Sequence, residues 1–352
     1  MTAYIRPLQR LSRNDEPSFG GKSANLGELL AADIPVPPGF AISTDAFHAF
    51  VQDAGLQDRI SSAVENLSPG DIDAIGRASH SISEAMRFAP VPEVVRIEIE
   101  QHYAQIGHAA GEDSPPVAVR SSAVGEDSQD ATFAGQQETY LWVRGVEHVC
   151  DAVRDCWVSL YSPPAISYRL RLGEAKQPPA MGVAVQVMVD AEVSGVMFTC
   201  NPVSGDPSMV AINASWGLGL AVVGGEVTPD DYLVSKVTRE VVREHVHTKD
   251  VEYVPDAGGS GAVRVAVEPD RRDVRCLGQA ALERLVDVAQ RVERYFGSHQ
   301  DIEWALARDQ DQALFVVQAR PVTAISKRKA ESKAESAMSL IMSTFGAGPP
   351  KD

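Results

Sequence analysis

Two short segments, Asp301-Ile302-Glu303 and Gln318-Ala319-Arg320-Pro321, hold the residue types that phosphate and metal chemistry needs. In a β-strand, residues i and i+2 face the same side, so Asp301 aligns with Glu303 and Gln318 with Arg320. The polar run ARDQDQ between IEWAL and ALFVVQA reads as the turn of a hairpin. Pairing of the two strands then gathers two carboxylates, an amide oxygen and a guanidinium on one face. Oxygen donors of this kind suit Mg²⁺, which keeps several waters and bridges substrate phosphates. The arginine can neutralise charge on a transferring group. A plain ion pair between Glu303 and Arg320 on a solvated face accounts for the same residues equally well.

Three further segments have the chemistry to hold a polyphosphate. Phe19-Gly20-Gly21-Lys22 turns tightly and starts a helix at a lysine, which presents free N–H groups beside a cation. Its spacing is not that of a P-loop, and an ordinary helix start with a solvated lysine is the alternative. Arg120 ends the apolar run VAVR, where its guanidinium can grip a phosphate through two hydrogen bonds. Ser121 and Ser122 follow as hydroxyl donors. A long polar stretch then leads to Phe133-Ala134-Gly135-Gln136, which reads as a lid or as a surface loop. Gln186–Val189 lies in an almost wholly apolar strand. The edge of such a strand can pair with a purine while apolar side chains hold its faces, although a lone Gln there is commonly structural.

The elements that must position these residues follow from periodicity. Helical spacing places helices near 22–32, 43–54, 57–67, 70–86, 92–108 and 271–296. Period-two or β-branched runs place strands at VAVR, TYLWV, VAVQVMV, SGVMFT, MVAIN and DYLV. This predicts an α+β lobe over residues 1–189, a β-rich lobe over 190–325, and a cleft between them. Residues 326–352 form a charged linker and tail, in which Met338, Ile341, Met342 and Phe345 fall at helical spacing and could dock on a partner.

Composition narrows the function classes. With 352 residues, 44% hydrophobic and 23% charged, the chain is long enough for two packed lobes. A formal net charge of -16 argues against non-specific nucleic-acid binding, which requires a basic footprint. It also makes each arginine or lysine inside a motif more informative. No apolar run reaches the ~18 residues of a membrane span, and MTAYIRPLQR lacks the apolar core of a secretory signal. The four cysteines show no C-x-x-C spacing, so a reduced, cytoplasmic setting is expected.

Taken together, FGGKSANLGELL, IPVPPGFAIS, VAVRSSAVGEDSQDATFAGQQETYLWV, VAVQVMV, VSGVMFTCNPVSG, INASWGLGLAVVGGEVTPDDYLV and DIEWAL…LFVVQARPVT resemble the N-terminal nucleotide-binding domain of the phosphoenolpyruvate synthase and pyruvate phosphate dikinase family. The matches run in family order over about residues 18–323. The resemblance implies a two-lobed, ATP-grasp-like α+β fold with ATP in the interlobe cleft. It implies that Lys22 and Arg120 bind phosphates and that Gly135 and Thr139 lie in a phosphate-covering loop. Gln186, Met188 and Val189 correspond to the adenine side. Asp301, Glu303 and Gln318 correspond to Mg²⁺ and phosphate ligands, with Glu303 and Gln318 on the metal and Arg320 on the phosphates. Lys22, Arg120 and Arg320 are then the catalytic cations.

Family members transfer the β-phosphate of ATP to a histidine on a swivelling domain, leaving AMP and phosphate. None of the eight histidines here has the Gly/Thr-rich context of that relay residue. The resemblance therefore implies a separate subunit carrying the phosphohistidine and the acceptor site. A split arrangement of this kind resembles the aryl-phosphate synthases, with a phenol or cresol as the small-molecule acceptor. A pyruvate or rifampicin phosphotransferase, or a non-catalytic ATP sensor, is the alternative.

Overall fold

The computed structural model describes residues 3–125, 138–173, 179–256, 258, 261–309 and 311–322. The β-branched runs form two antiparallel sheets. β1 (Ile5–Pro7), β2 (Gly39–Ile42), β3 (Val117–Ala123), β4 (Thr139–Val143) and β5 (Met181–Val187) make a five-stranded sheet in the order β1-β2-β5-β3-β4. The chain passes through Met188–Asp190 directly into a second sheet. There β6 (Ala191–Phe198), β7 (Met209–Trp216), β8 (Asp230–Ser235) and β9 (Val241–His245) are consecutive neighbours. β10 (Val251–Pro255) and β11 (Ala262–Ala266) form a separate ribbon. β12 (Gln300–Ala307) returns to pair with β6, and β13 (Leu314–Pro321) closes the edge of this six-stranded sheet.

Helices supply the other layer. Ile72–Phe88 starts at Asp71, whose side chain accepts the Ala74 N–H at 3.0 Å, and Glu93–Ala110 stops at Gly111 in the left-handed conformation. With Thr44–Asp53, Val146–Ser159 and Pro163–Leu172 they cover the first sheet. Phe47, Phe50, Ile82, Val153 and Trp157 pack there against Phe40, Val119 and Val183. The second sheet is covered by Gln279–Phe296, whose Leu282, Leu285, Ala289 and Val292 are buried against Ile302, Trp304 and Val316.

The helices at 43–54, 57–67, 70–86 and 92–108 are present with ends shifted by a few residues. The predicted helix over 271–296 begins only at Gln279. Its first eight residues run through turns and bends instead, because Trp216 donates to the Arg271 carbonyl at 3.0 Å and the Cys276 N–H donates to Asp230 at 2.8 Å. Gly278, in an extended conformation, then starts the helix. Leu277 is buried, as its apolar spacing predicts, but it precedes the helix. The predicted tail helix lies outside the described residues.

The first forty residues cross between the two cores. Phe19, Leu26 and Leu29 belong to the core beneath the second sheet, while Ile5 and Phe40 belong to that of the first. The helix Gly21–Ala31 is pinned where it begins. The Ser23 N–H and hydroxyl donate to Ser122 Oγ on β3 at 3.1 and 3.2 Å. Gly20 makes this approach possible. Its φ of 79° and ψ of 165° are accessible essentially to glycine alone, and a Cβ would lie 1.9 Å from the Ser122 carbonyl oxygen.

Replacing Gly20 by Ala should therefore cost about 1–3 kcal/mol in backbone strain, with a further loss from the forced separation of the helix from β3. Gly111→Ala, also at positive φ but facing open space, should cost only the smaller αL penalty of ~1 kcal/mol. Urea denaturation of the two variants measures the difference. Equal losses would show that close packing at Gly20 contributes nothing.

Candidate functional site

The β12–β13 hairpin forms with the register that the spacing predicts: Asp301 lies opposite Arg320 and Glu303 opposite Gln318. The ion pairing is not the Glu303–Arg320 pair of the alternative reading. Arg320 Nε donates to Asp301 Oδ2 at 2.9 Å, and Glu303 receives an arginine from the other sheet. That residue is Arg120 on β3. Its Nη2 donates to Glu303 Oε2 at 3.2 Å and to Gln318 Oε1 at 2.5 Å, while Nη1 donates to the Val317 carbonyl at 3.0 Å. The reason is geometric. Directly opposed cross-strand neighbours are closest, which gives Asp301 to Arg320, and the amide of Gln318 leaves Glu303 without a cation on its own hairpin.

Arg120 and Glu303 also line a cavity of about 210 Å³ between the two sheets. Thr139, directly opposite Arg120 on β4, lines it too, as do Gln186, Met188 and Val189. Its remaining walls are mostly apolar and include Leu141, Leu218 and Ala305. The volume is below the ~300–1,000 Å³ typical of ligand pockets, so the cavity suits one end of a nucleotide, with the rest extending along the hairpin. An apolar slot that ends at a guanidinium and a carboxylate has the chemistry for a purine followed by phosphates.

Not every predicted residue sits as the sequence reading placed it. Met188 and Val189 lie beyond the end of β5, in the connection between sheets, rather than on a strand. The Val187 and Met188 N–H groups are already taken by the Pro38 and Pro116 carbonyls at 2.8 and 2.9 Å. The Val189 N–H has no hydrogen-bond partner among the described residues. Gln186 is buried and donates to the Pro37 carbonyl at 3.4 Å, so its side chain braces the wall. Lys22 does not line the cavity. It is buried in the first turn of Gly21–Ala31, next to Ser23, which bonds Ser122, two positions along β3 from Arg120. Gly135 lies outside the described residues.

Leu141, Leu218 and Ala305 went unnoticed in the sequence, because which face of each strand meets the other sheet is set only by the packing of the two. The residues present fit a divalent cation by donor chemistry. Asp301 and Glu303 share one side of β12 with the Gln318 amide opposite, and Mg²⁺ bound by one or two carboxylates keeps its other positions for water and phosphate. Among the described residues no cluster of three or more His, Cys, Asp or Glu exists that could fully enclose a metal. Arg120 Nε is buried without a partner, so the guanidinium retains a donor beyond those engaged by the hairpin.

Burial raises the Asp301 pKa above the usual carboxylate range, and the charge and hydrogen bond of Arg320 offset this in part. A raised folded-state pKa gives stability that is fully present below the unfolded value and lost as pH rises through the folded one. Arg320→Gln removes the offset and should steepen the loss of stability between about pH 4 and neutrality. Asp301→Asn should flatten it. Denaturant midpoints across that pH range measure both. Parallel profiles for wild type and Arg320→Gln would show that the pair does not control Asp301.

Residues 16–340 match the family model described as "Pyruvate phosphate dikinase, AMP/ATP-binding domain". The chain is 38% identical over 349 residues to a "Probable phosphoenolpyruvate synthase" of Methanocaldococcus jannaschii, covering 98% of this chain and 29% of that protein. It is 35% identical over 385 residues to the "Phosphoenolpyruvate synthase" of Pyrococcus furiosus, covering 98% of this chain and 47% of that protein. It thus spans half or less of the length of these two relatives. A D-alanyl-alanine synthetase A from Vibrio cholerae superposes with a TM-score of 0.28 at 13% identity, covering 86% of this chain and 58% of that one, too little to argue from. The family match covers most of the chain and includes both sheets, apart from β1, and the cavity between them, so this chain belongs to the pyruvate phosphate dikinase AMP/ATP-binding domain family, with an α+β nucleotide-binding fold.

Proposed function

We propose that the chain binds Mg-ATP between its two sheets and donates the β-phosphate to a histidine on a separate protein, releasing AMP and phosphate. The observation that carries this reading is the Arg120 guanidinium, which reaches from β3 to Glu303 and Gln318 beside an apolar slot. The slot would take adenine against Leu141, Met188 and Val189, with the Val189 N–H directed at its edge. Arg120, Arg320 and Lys22, together with the N-terminus of Gly21–Ala31, supply positive charge for the phosphates. Mg²⁺ held by Glu303 and Gln318 would supply charge neutralisation between phosphate oxygens.

In this reading Arg120 exchanges carboxylate and amide acceptors for phosphate oxygens when the nucleotide arrives. That frees Glu303 and Gln318 for the metal. Residues 1–189 and 190–325 serve as the two lobes, with Met188–Asp190 as one connection between them. Two phosphoanhydride bonds break in the overall step. The β-phosphate ends on a histidine nitrogen, water takes the γ-phosphate, and AMP departs.

A partner carrying that histidine and the acceptor pocket completes the reaction. The names of the matched relatives favour pyruvate and phosphoenolpyruvate as the acceptor pair. Nothing among them supports the phenol or cresol acceptor expected from the split arrangement, which an acceptor panel would test directly.

The chain should be incubated with Mg-ATP and a histidine-bearing partner purified from its native host, and followed by ³¹P NMR. AMP and phosphate should form together, and label from the β-position should appear on the partner. Glu303→Gln and Arg120→Met should each lower the rate by about 10²–10³-fold, the scale for removing a group that stabilises transition-state charge. Formation of ADP, or label only from the γ-position, would replace this reading with a simple kinase.

A further inference from the structure

A second and larger hollow, of about 790 Å³, shares no lining residue with the interlobe cavity. It lies among the helices that cover the first sheet. Buried Phe47 and Val51 from helix Thr44–Asp53, Ile60 and Val64 from helix Gln57–Val64, and Tyr161 form its apolar floor, and exposed Gln52, Gln57, Asp58 and Glu65 stand on its rim. One cation enters it from helix Pro163–Leu172: Arg169. Its volume falls within the ~300–1,000 Å³ range of small-molecule sites.

Arg169 is held but incompletely satisfied. Nη2 donates to the Leu160 carbonyl at 2.9 Å, and the guanidinium carbon lies 5.2 Å from the Tyr161 ring centroid. Nε is buried with no hydrogen-bond partner. Among the described residues no carboxylate comes within ion-pairing distance of it. This chain carries 48 acidic residues against 32 basic ones, so carboxylates are in excess for pairing. Asp58 and Glu65 line the same hollow, yet both are exposed and neither pairs with Arg169. Burial works against the charged guanidinium and lowers its pKa. A buried cation is stabilised when an oxyanion completes its hydrogen bonds.

We infer that this hollow binds a small organic carboxylate with an apolar body, the carboxylate on Arg169 and the body against Phe47, Val51, Ile60 and Val64. A carboxylate fits better than a phosphate. It is a monoanion that one guanidinium neutralises, and its two oxygens match the planar fork. Among the described lining residues only His48 could add a second positive charge, while Asp58 and Glu65 would oppose a dianion. The site is independent of the nucleotide reading and would give the domain a place to sense an organic acid apart from ATP.

Isothermal titration of the full chain with 4-phenylbutyrate, and with its neutral amide as control, tests the assignment. The acid should bind saturably at one site, and the amide at least roughly tenfold more weakly, a difference of about 1.4 kcal/mol. Excess ATP should leave the acid's affinity unchanged. Arg169→Met should weaken the acid at least tenfold while keeping the wild-type melting temperature, whereas a merely structural arginine would lower the melting temperature and leave binding alone. Should that variant not fold, Ser61→Trp, at an exposed position on the wall, should obstruct the hollow and abolish binding. Equal binding of acid and amide, full binding by either folded variant, or no saturable binding at millimolar acid would each overturn the inference.

Discussion

The guanidinium of Arg120 is rooted in one sheet and satisfied by the other, and the geometry of the candidate site depends on that bridge. Its side chain is only 12% exposed, so a charge largely withdrawn from water must find charged or strongly polar acceptors nearby. β12 supplies Glu303, and β13 supplies the Gln318 amide and the Val317 carbonyl. These three acceptors converge only because the hairpin pairs Glu303 with Gln318. A slip by one residue would turn Glu303 to the opposite face, into the core occupied by Ile302 and Trp304. The buried apolar face of β12 and the polar contact of Arg120 thus enforce the same register from opposite sides.

The two sheets are also joined by packing that the chain's order does not announce. Helix Gly21–Ala31 precedes every strand of the first sheet except β1, yet its Leu26 and Leu29 lie in the core of the second. Its N-terminus is tied to β3 through Ser23 and Ser122, at the end of the strand that carries Arg120. One helix therefore holds the Arg120 end of β3 to the hairpin side of the molecule. Met188 and Val189, in the connection between the sheets, line the cavity itself. Opening of the cavity is restrained at both the helix and the connection, so relative motion of the sheets would proceed as rotation about these ties rather than wholesale separation.

Much of this was legible in the sequence where local physics decides the outcome. Period-two runs marked β3, β12 and β13, and the i, i+2 rule placed Asp301 with Glu303 before any fold was known. Helical spacing found Ile72–Phe88 and Glu93–Ala110. Where tertiary contacts override local pattern, the reading failed. Apolar spacing through Leu277 extended a helix that Asp230 and Trp216 hold open. The alternative pairing of Glu303 looks to Arg320 on the neighbouring strand, whereas its arginine comes from a position 183 residues away. The helices Val146–Ser159 and Pro163–Leu172 were overlooked, though Ser162 caps the second by accepting the Ala165 N–H. No spacing rule could identify Arg169, because its significance is the absence, among the described residues, of a carboxylate neighbour in space.

An acidic chain that takes a polyanion must avoid repelling it, and the geometry around Arg120 shows how. Glu303 would oppose an incoming phosphate if it stood alone, but it is already neutralised by Arg120. The pair is only partly desolvated, with Glu303 31% exposed, so breaking it costs less than breaking a fully buried ion pair. Asp301 is screened in the same way by Arg320, and its burial further disfavours the ionised form. In the reading proposed here, phosphate oxygens take over the arginines while a divalent cation takes over the carboxylates. Each charge then changes partner without being left exposed to a like charge. Nucleotide without a metal would strand Glu303 beside the phosphates, and metal without nucleotide would strand Arg120 beside the metal. The arrangement of charges thus favours the two arriving as one complex, a selectivity that follows from the pairing of Arg120 with Glu303 and not from the net charge of the chain.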